Sequence, residues 1–316
     1  MDVRDGEARV GTAIVFPGQG SQRPGMALDF AARFPSAARV LALASHTLDL
    51  NVEAEIASGE RLFLTEITQP CLLAAEVAMW TALRDELGVA ADRFGGHSLG
   101  EYSALVAASA LELQAALRLV RLRGRLMQEA VPAGLGGMCA VIADARDLDR
   151  AATLAAEAGV DVANHNSPTQ IVLSGMAPAL GRAREALAAL DVRIVELQVS
   201  APFHSRHMAP IAERFRQALG REAPAFNAER AARVTSNAGG GFHGRDLSAL
   251  LDALALQLVA PVRWVDNMRA LLEGGRRVIE VGPNRPLSRF LKEVGGEPVS
   301  VTHARGLDRL ALEAAA

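Results

Sequence analysis

Apolar positions along this 316-residue chain change period many times, and each change marks an expected element. The run "AIVF" (Ala13 to Phe16) reads as a buried strand, and the glycine-rich stretch "PGQGSQRPGM" after it reads as a turn. Helical spacing predicts helices over 29–48 and 69–87. A short segment, "DRFGG", leads into "GGHSLGEYSAL" (Gly95 to Leu105), and helices are expected over 99–108 and 111–130. Strand signals recur at "MCAVIA", "QIVLSG", "VRIVELQV", "ARVTSN" and "RRVIEVG". Helices are expected between them, over 180–190, 211–219, 247–258 and 262–272. Strands alternating with helices predict an α/β fold. From about Gly134 to Val199 the order is strand, helix, strand, helix, strand, compact enough for a small inserted α+β subdomain. Its edges are expected at "PAGLGG" (132–137) and "SAPFHS" (200–205).

Composition narrows the function classes without naming one. Half of the residues are hydrophobic (50%) and 22% are charged, an ordinary globular balance. A net charge of -3 offers no basic field for nucleic acid or an anionic membrane. The two cysteines, Cys71 and Cys139, have no metal spacing and predict neither a disulfide framework nor a metal centre. No apolar run approaches the roughly 20 residues of a membrane span, and the charged start "MDVRDGEARVG" does not read as a signal peptide. The expectation is a cytoplasmic monomer with no bound metal or cofactor.

Gly96-His97-Ser98-Leu99-Gly100 fits G-x-S-x-G, the pattern of a nucleophile on a sharp strand-to-helix turn. Glycines suit such a turn because a Cβ would clash with crowded backbone. The serine oxygen would stand at a helix N-terminus, where N–H groups and the helix dipole favour negative charge. The Leu99 N–H is then placed to hold an oxyanion. The alternative is that Ser98 only caps a helix, and the pentapeptide alone leaves both open. A serine nucleophile needs a base. His165, His204, His207, His243 and His303 lie downstream, and His97 would point away. His204, in "SAPFHSRHM" after a predicted strand, leads over His207, although spacing alone does not choose.

Two further features stand out. In "SALELQAALRLVRLRGRLMQEA", Ser109 and Glu112 have capping-box spacing. Wound as a helix, Arg118, Arg121 and Arg125 share a polar arc with Gln114, whereas Arg123 falls in the middle of the side formed by Leu117, Leu119, Val120, Leu126 and Met127. An inward guanidinium is costly unless paired. Arg123 therefore either bridges to another segment or receives a substrate carboxylate. In "FPGQGSQ", Gln19 sits in a loop that is neither a Walker loop nor G-x-G-x-x-G. It is an ordinary turn or the source of a second oxyanion N–H.

Together with "TQPCLLAAEVA", "GHSLGEYSALVAASAL", "RGRLMQEAVP", "NSPTQIVLSG", "PVRW" and "VIEVGP", these motifs resemble the malonyl-CoA:acyl-carrier-protein transacylase family over about 13–291. The resemblance implies an α/β-hydrolase-like large subdomain (1–133 and 204–316) with an inserted ferredoxin-like small subdomain (134–203). It implies Ser98 as nucleophile, His204 as general base and the backbone carbonyl of Gln257 as the group that orients it. Gln19 and Leu99 would supply the oxyanion N–H groups, and Arg123 would pair with the free carboxylate of malonate. Asn166, Phe203 and Met127 would fall near the active site, with Phe203 matching the malonyl-type pattern of polyketide acyltransferases. The implied activity is ping-pong transfer from malonyl-CoA to the phosphopantetheine thiol of a holo acyl carrier protein, in fatty-acid or polyketide synthesis. One departure is "GPNRPL", with Asn284 where the family often reads "GPG". Two rivals remain: a hydrolase that clears carrier proteins, disfavoured by Arg123, and a non-catalytic subunit that docks carriers, disfavoured by intact Ser98, His204 and Arg123.

Overall fold

The computed structural model describes residues 11–132, 134–199 and 201–307. The charged start of the chain and two residues at the expected insert edges, Ala133 and Ser200, lie outside the described residues.

Among the described residues, eight strands form two four-stranded sheets. They are β1 (Thr12–Phe16), β2 (Arg93–Gly96), β3 (Gly136–Ile142), β4 (Asp161–Ser167), β5 (Gln170–Met176), β6 (Arg193–Glu196), β7 (Arg277–Val281) and β8 (Val299–Val301). The first sheet has the order β2-β1-β7-β8 and is parallel throughout. Its central strand is buried from Ala13 to Phe16, as expected where helices cover both faces. The second sheet has the order β4-β5-β3-β6 and is antiparallel. Its two helices, Ala145–Glu157 and Ala177–Leu187, complete a strand-helix-strand-strand-helix-strand run with its own apolar cluster, including Val141, Leu148, Leu173 and Leu187.

Several expectations change. The single helix over 29–48 is two, Leu28–Arg33 and Pro35–Leu48, because Phe34 is extended before Pro35. "DRFGG" forms β2, while "ARVTSN" contributes only isolated bridges at Val234 and Thr235. The strand β4 was not expected, because "DVANHNS" buries polar Asn164, Asn166 and Ser167 rather than alternating apolar residues. The capping box does not form. Glu112 caps the Leu113–Glu129 helix without a side-chain bond, and Ser109 takes the left-handed region at φ 56°.

Because β1 and β2 are parallel neighbours, the chain leaves their C-terminal ends side by side. Glycine makes this approach possible. A Cβ on Gly96 would lie 2.0 Å from the Gly100 carbonyl carbon, and one on Gly100 would lie 2.2 Å from Phe16 O. Gly100→Ala is therefore expected to destabilise the protein by roughly 3 kcal/mol, measured by urea unfolding. An alanine variant as stable as the parent would show that the turn relaxes.

Candidate active site

Ser98 follows β2 and precedes the Gly100–Ala107 helix. Its φ of 53° lies in the left-handed region, uncommon for a residue with a side chain. Asn237 clamps the turn from both sides. Its Oδ1 accepts the Ser98 N–H at 2.9 Å and its Nδ2 donates to Gly96 O at 2.8 Å. Sequence reasoning missed Asn237, whose side chain carries no periodic signal and whose segment reads as a strand.

His204 is 4% exposed and also has a left-handed φ, 54°. Its Nε2 lies 2.8 Å from Ser98 Oγ and its Nδ1 lies 2.7 Å from the backbone carbonyl of Gln257. A carbonyl only accepts, so Nδ1 carries the proton and Nε2 presents its lone pair to the serine hydroxyl. Burial, with the Arg123 charge second, lowers the imidazole from 6.5 to about 3, against the opposing bond to Gln257. The other histidines separate from this pair. His165 and His303 are exposed, His243 is buried against Glu101, and the His207 backbone N–H bonds Ser205 Oγ. His97 makes no hydrogen bond to Ser98 among the described residues but borders the same cavity, and its Nε2 lies 2.8 Å from Asn166 Oδ1 and 3.2 Å from Asn164 Nδ2.

The neutral form of His204 is the basic one, and it persists down to about 3. Labelling of Ser98 by an uncharged fluorophosphonate is therefore expected to stay level from about pH 5 to about pH 8. An acid limb centred near the ordinary 6.5 would show an imbalance between burial and solvent that the geometry does not contain.

Arg123 is fully buried on the Leu113–Glu129 helix. Its Nη2 donates to Ser98 Oγ at 3.2 Å and to Gln257 Oε1 at 2.7 Å. Its Nε has no hydrogen-bond partner among the described residues, and its guanidinium lies 5.7 Å from the Tyr102 ring centre. Among the described residues no carboxylate lies within ion-pair distance of it. The backbone N–H groups of Gln19 and Leu99 make no hydrogen bond among the described residues, and the Gln19 side chain reaches Thr65 Oγ1 at 3.4 Å.

A cavity of about 580 Å³ opens onto this arrangement, lined in part by Gln19, Ser98, Met127, Phe203 and His204. Met127 also receives Gln69 Nε2 at its sulfur, 3.6 Å away. Asn166 stands behind the wall, holding His97 with Oδ1 and Gln170 with Nδ2. Phe63, at the rim, is 74% exposed. Among the described residues no group of His, Cys, Asp and Glu side chains is arranged to hold a metal, and no helix is long and apolar enough to cross a membrane.

Residues 13–305 match the acyl transferase domain family. The chain is 38% identical over 291 residues to malonyl CoA-acyl carrier protein transacylase of Escherichia coli K12, covering 89% of this chain and 92% of that protein. It is 38% identical over 295 residues to the protein of the same name from Bacillus subtilis 168, covering 89% and 90%. Among solved structures, FabD from Acinetobacter baumannii superposes with a TM-score of 0.91 at 35% identity, covering 97% of this chain and 99% of that one. PlMCAT, a malonyl-transacylase solved in complex with the type II PKS acyl-carrier protein AntF, gives 0.87 at 38% identity, covering 96% and 99%. On sequence, fold and coverage together, the chain belongs to the malonyl-CoA:acyl-carrier-protein transacylase family.

Proposed function

We propose that this protein transfers a malonyl group from malonyl-CoA to the phosphopantetheine thiol of an acyl carrier protein, for fatty-acid or polyketide synthesis, through a malonyl ester on Ser98. The carrying observation is Arg123: a buried guanidinium without a carboxylate partner among the described residues, hydrogen-bonded to the oxygen that would attack. A buried cation is costly until an anion meets it, and the free carboxylate of a malonyl group is such an anion. In this reading Ser98 Oγ attacks the thioester carbonyl while His204 Nε2 takes its proton. The imidazolium is stabilised by the Gln257 carbonyl where a hydrolase triad uses a carboxylate. The Gln19 and Leu99 N–H groups receive the oxyanion. The tetrahedral intermediate collapses, the CoA thiolate leaves with the proton held by His204, and the carrier thiol reverses the sequence.

The same reading assigns the α/β-hydrolase-like architecture to 1–133 and 204–316, supported by the parallel sheet and the serine turn at its strand ends. It assigns the ferredoxin-like insert to 134–203, supported by the antiparallel sheet and its separate apolar cluster. The protein acts as a cytoplasmic monomer and needs no bound cofactor. Phe203, 5% exposed on the cavity wall before His204, crowds an α-methyl group and favours malonyl over branched units. The test is intact-protein mass spectrometry after brief exposure to malonyl-CoA, methylmalonyl-CoA and acetyl-CoA separately, followed by a holo carrier protein. A malonyl adduct that moves to the carrier is the expected result. An adduct released as free acid without carrier loading would make the protein a hydrolase, and no adduct at all would leave a docking subunit.

A further inference from the structure

One carboxylate behind the nucleophile has no part in the steps above. Glu101, on the first turn of the Gly100–Ala107 helix, is 1% exposed, and both of its oxygens are engaged inside the protein. Oε1 meets His243 Nε2 at 2.7 Å. Oε2 accepts the Asn237 N–H at 3.1 Å, Asn237 Nδ2 at 2.6 Å and Gln257 Nε2 at 2.6 Å. Gln257, fully buried, also donates Nε2 to the Ser98 backbone carbonyl at 3.1 Å.

These contacts determine which way the Gln257 amide faces. An NH2 group committed to a carboxylate and a carbonyl must turn its oxygen the opposite way. That oxygen is the one that accepts Arg123 Nη2 at 2.7 Å. With the amide reversed, donor would face donor at the guanidinium and acceptor would face acceptor at Glu101. Both bonds are charge-assisted, one to the Glu101 carboxylate and one from the Arg123 guanidinium, so together they hold the amide in one orientation. Gln257 serves the base and the guanidinium through different atoms: its backbone carbonyl holds His204, and its side chain holds Arg123. Substitution of the side chain therefore separates the two roles.

We infer that Glu101 is a positioning residue for acyl-group selection, acting through the Gln257 amide to aim the Arg123 guanidinium beside Ser98. This rests on the reading of Arg123 as the partner of the acyl carboxylate. A malonyl group is short, so a guanidinium displaced by about 1 Å loses the carboxylate while the ester chemistry remains intact.

The test uses the full chain with Gln257→Met, Glu101→Met and Glu101→Gln. Three rates are compared: carrier loading from malonyl-CoA, carrier loading from acetyl-CoA, and Ser98 labelling by an uncharged fluorophosphonate. Gln257→Met is expected to lower the malonyl-over-acetyl preference about tenfold or more, a ratio that a common fall in Ser98 reactivity, read from the labelling, does not move. Glu101→Met moves the preference in the same direction. Glu101→Gln preserves it, because its amide oxygen can serve Asn237 and Gln257 while its NH2 donates to His243. If Glu101→Met does not fold, Gln257→Met decides, since it leaves Glu101 bound to Asn237 and His243. Unchanged preference in Gln257→Met, or an equal fall in all three rates, overturns the inference. If Arg123→Ala changes malonyl and acetyl rates equally, the carboxylate reading fails first. If Arg123→Ala shifts the preference and Gln257→Met does not, only the positioning role fails.

Discussion

Ser98→Ala is expected to abolish the acyl adduct and to lower carrier loading by a factor on the order of 10⁴ to 10⁶, the loss seen when a serine nucleophile is removed from a catalytic unit. The reason is geometric. Ser98 Oγ is 2.8 Å from the unprotonated nitrogen of His204 and 3.2 Å from Arg123 Nη2, so one oxygen is both the donor to the base and the neighbour of the cation. Alanine leaves the Asn237 clamp to the backbone intact, because both of its bonds are to main-chain atoms. Intact mass spectrometry with malonyl-CoA and steady-state transfer to a holo carrier protein measure the two effects together. Undiminished turnover would remove Ser98 from the mechanism.

Arg123→Ala is expected to invert the acyl preference rather than to stop the enzyme. Loss of one member of a buried charge pair costs about 3–5 kcal/mol, which corresponds to a loss of malonyl transfer of roughly 10² to 5 × 10³. Acetyl-CoA has no carboxylate to lose, and the space left by the side chain is bordered by the Tyr102 ring. Its rate is expected to hold or rise. The measurement is kcat/KM for both thioesters with the same carrier protein. An equal fall for malonyl and acetyl would mean that Arg123 supports Ser98 without reading the acyl group.

Much of this site is legible in the chain because its chemistry is carried by local pattern. Gly96, Ser98 and Gly100 lie within five residues of one another and signal the turn by themselves. Arg123 betrays itself by falling on the apolar side of its helix, and it is fully buried in the fold. The choice of His204 over His207 was not local. They lie three positions apart, and the bonds that distinguish His204 run to Ser98 and to the Gln257 carbonyl, 53 positions downstream. Asn237 and Glu101 were illegible as site residues for the same reason: their meaning lies in bonds to distant backbone and side chains. In the fold, β4 is hard to read because, beside Ala163, the side chains it buries are two amides and a hydroxyl, so no apolar alternation marks it.

The two residues that share the 2.8 Å contact also share a backbone conformation, with φ of 53° at Ser98 and 54° at His204. Left-handed backbone at a residue with a Cβ costs on the order of 1–3 kcal/mol, and that is a large share of the margin by which domains stay folded. A chain selected only for thermal persistence would relieve both positions with glycine and would lose its reactivity in doing so. The retention of serine and histidine there therefore sets a ceiling on stability that substitutions elsewhere in the protein must offset.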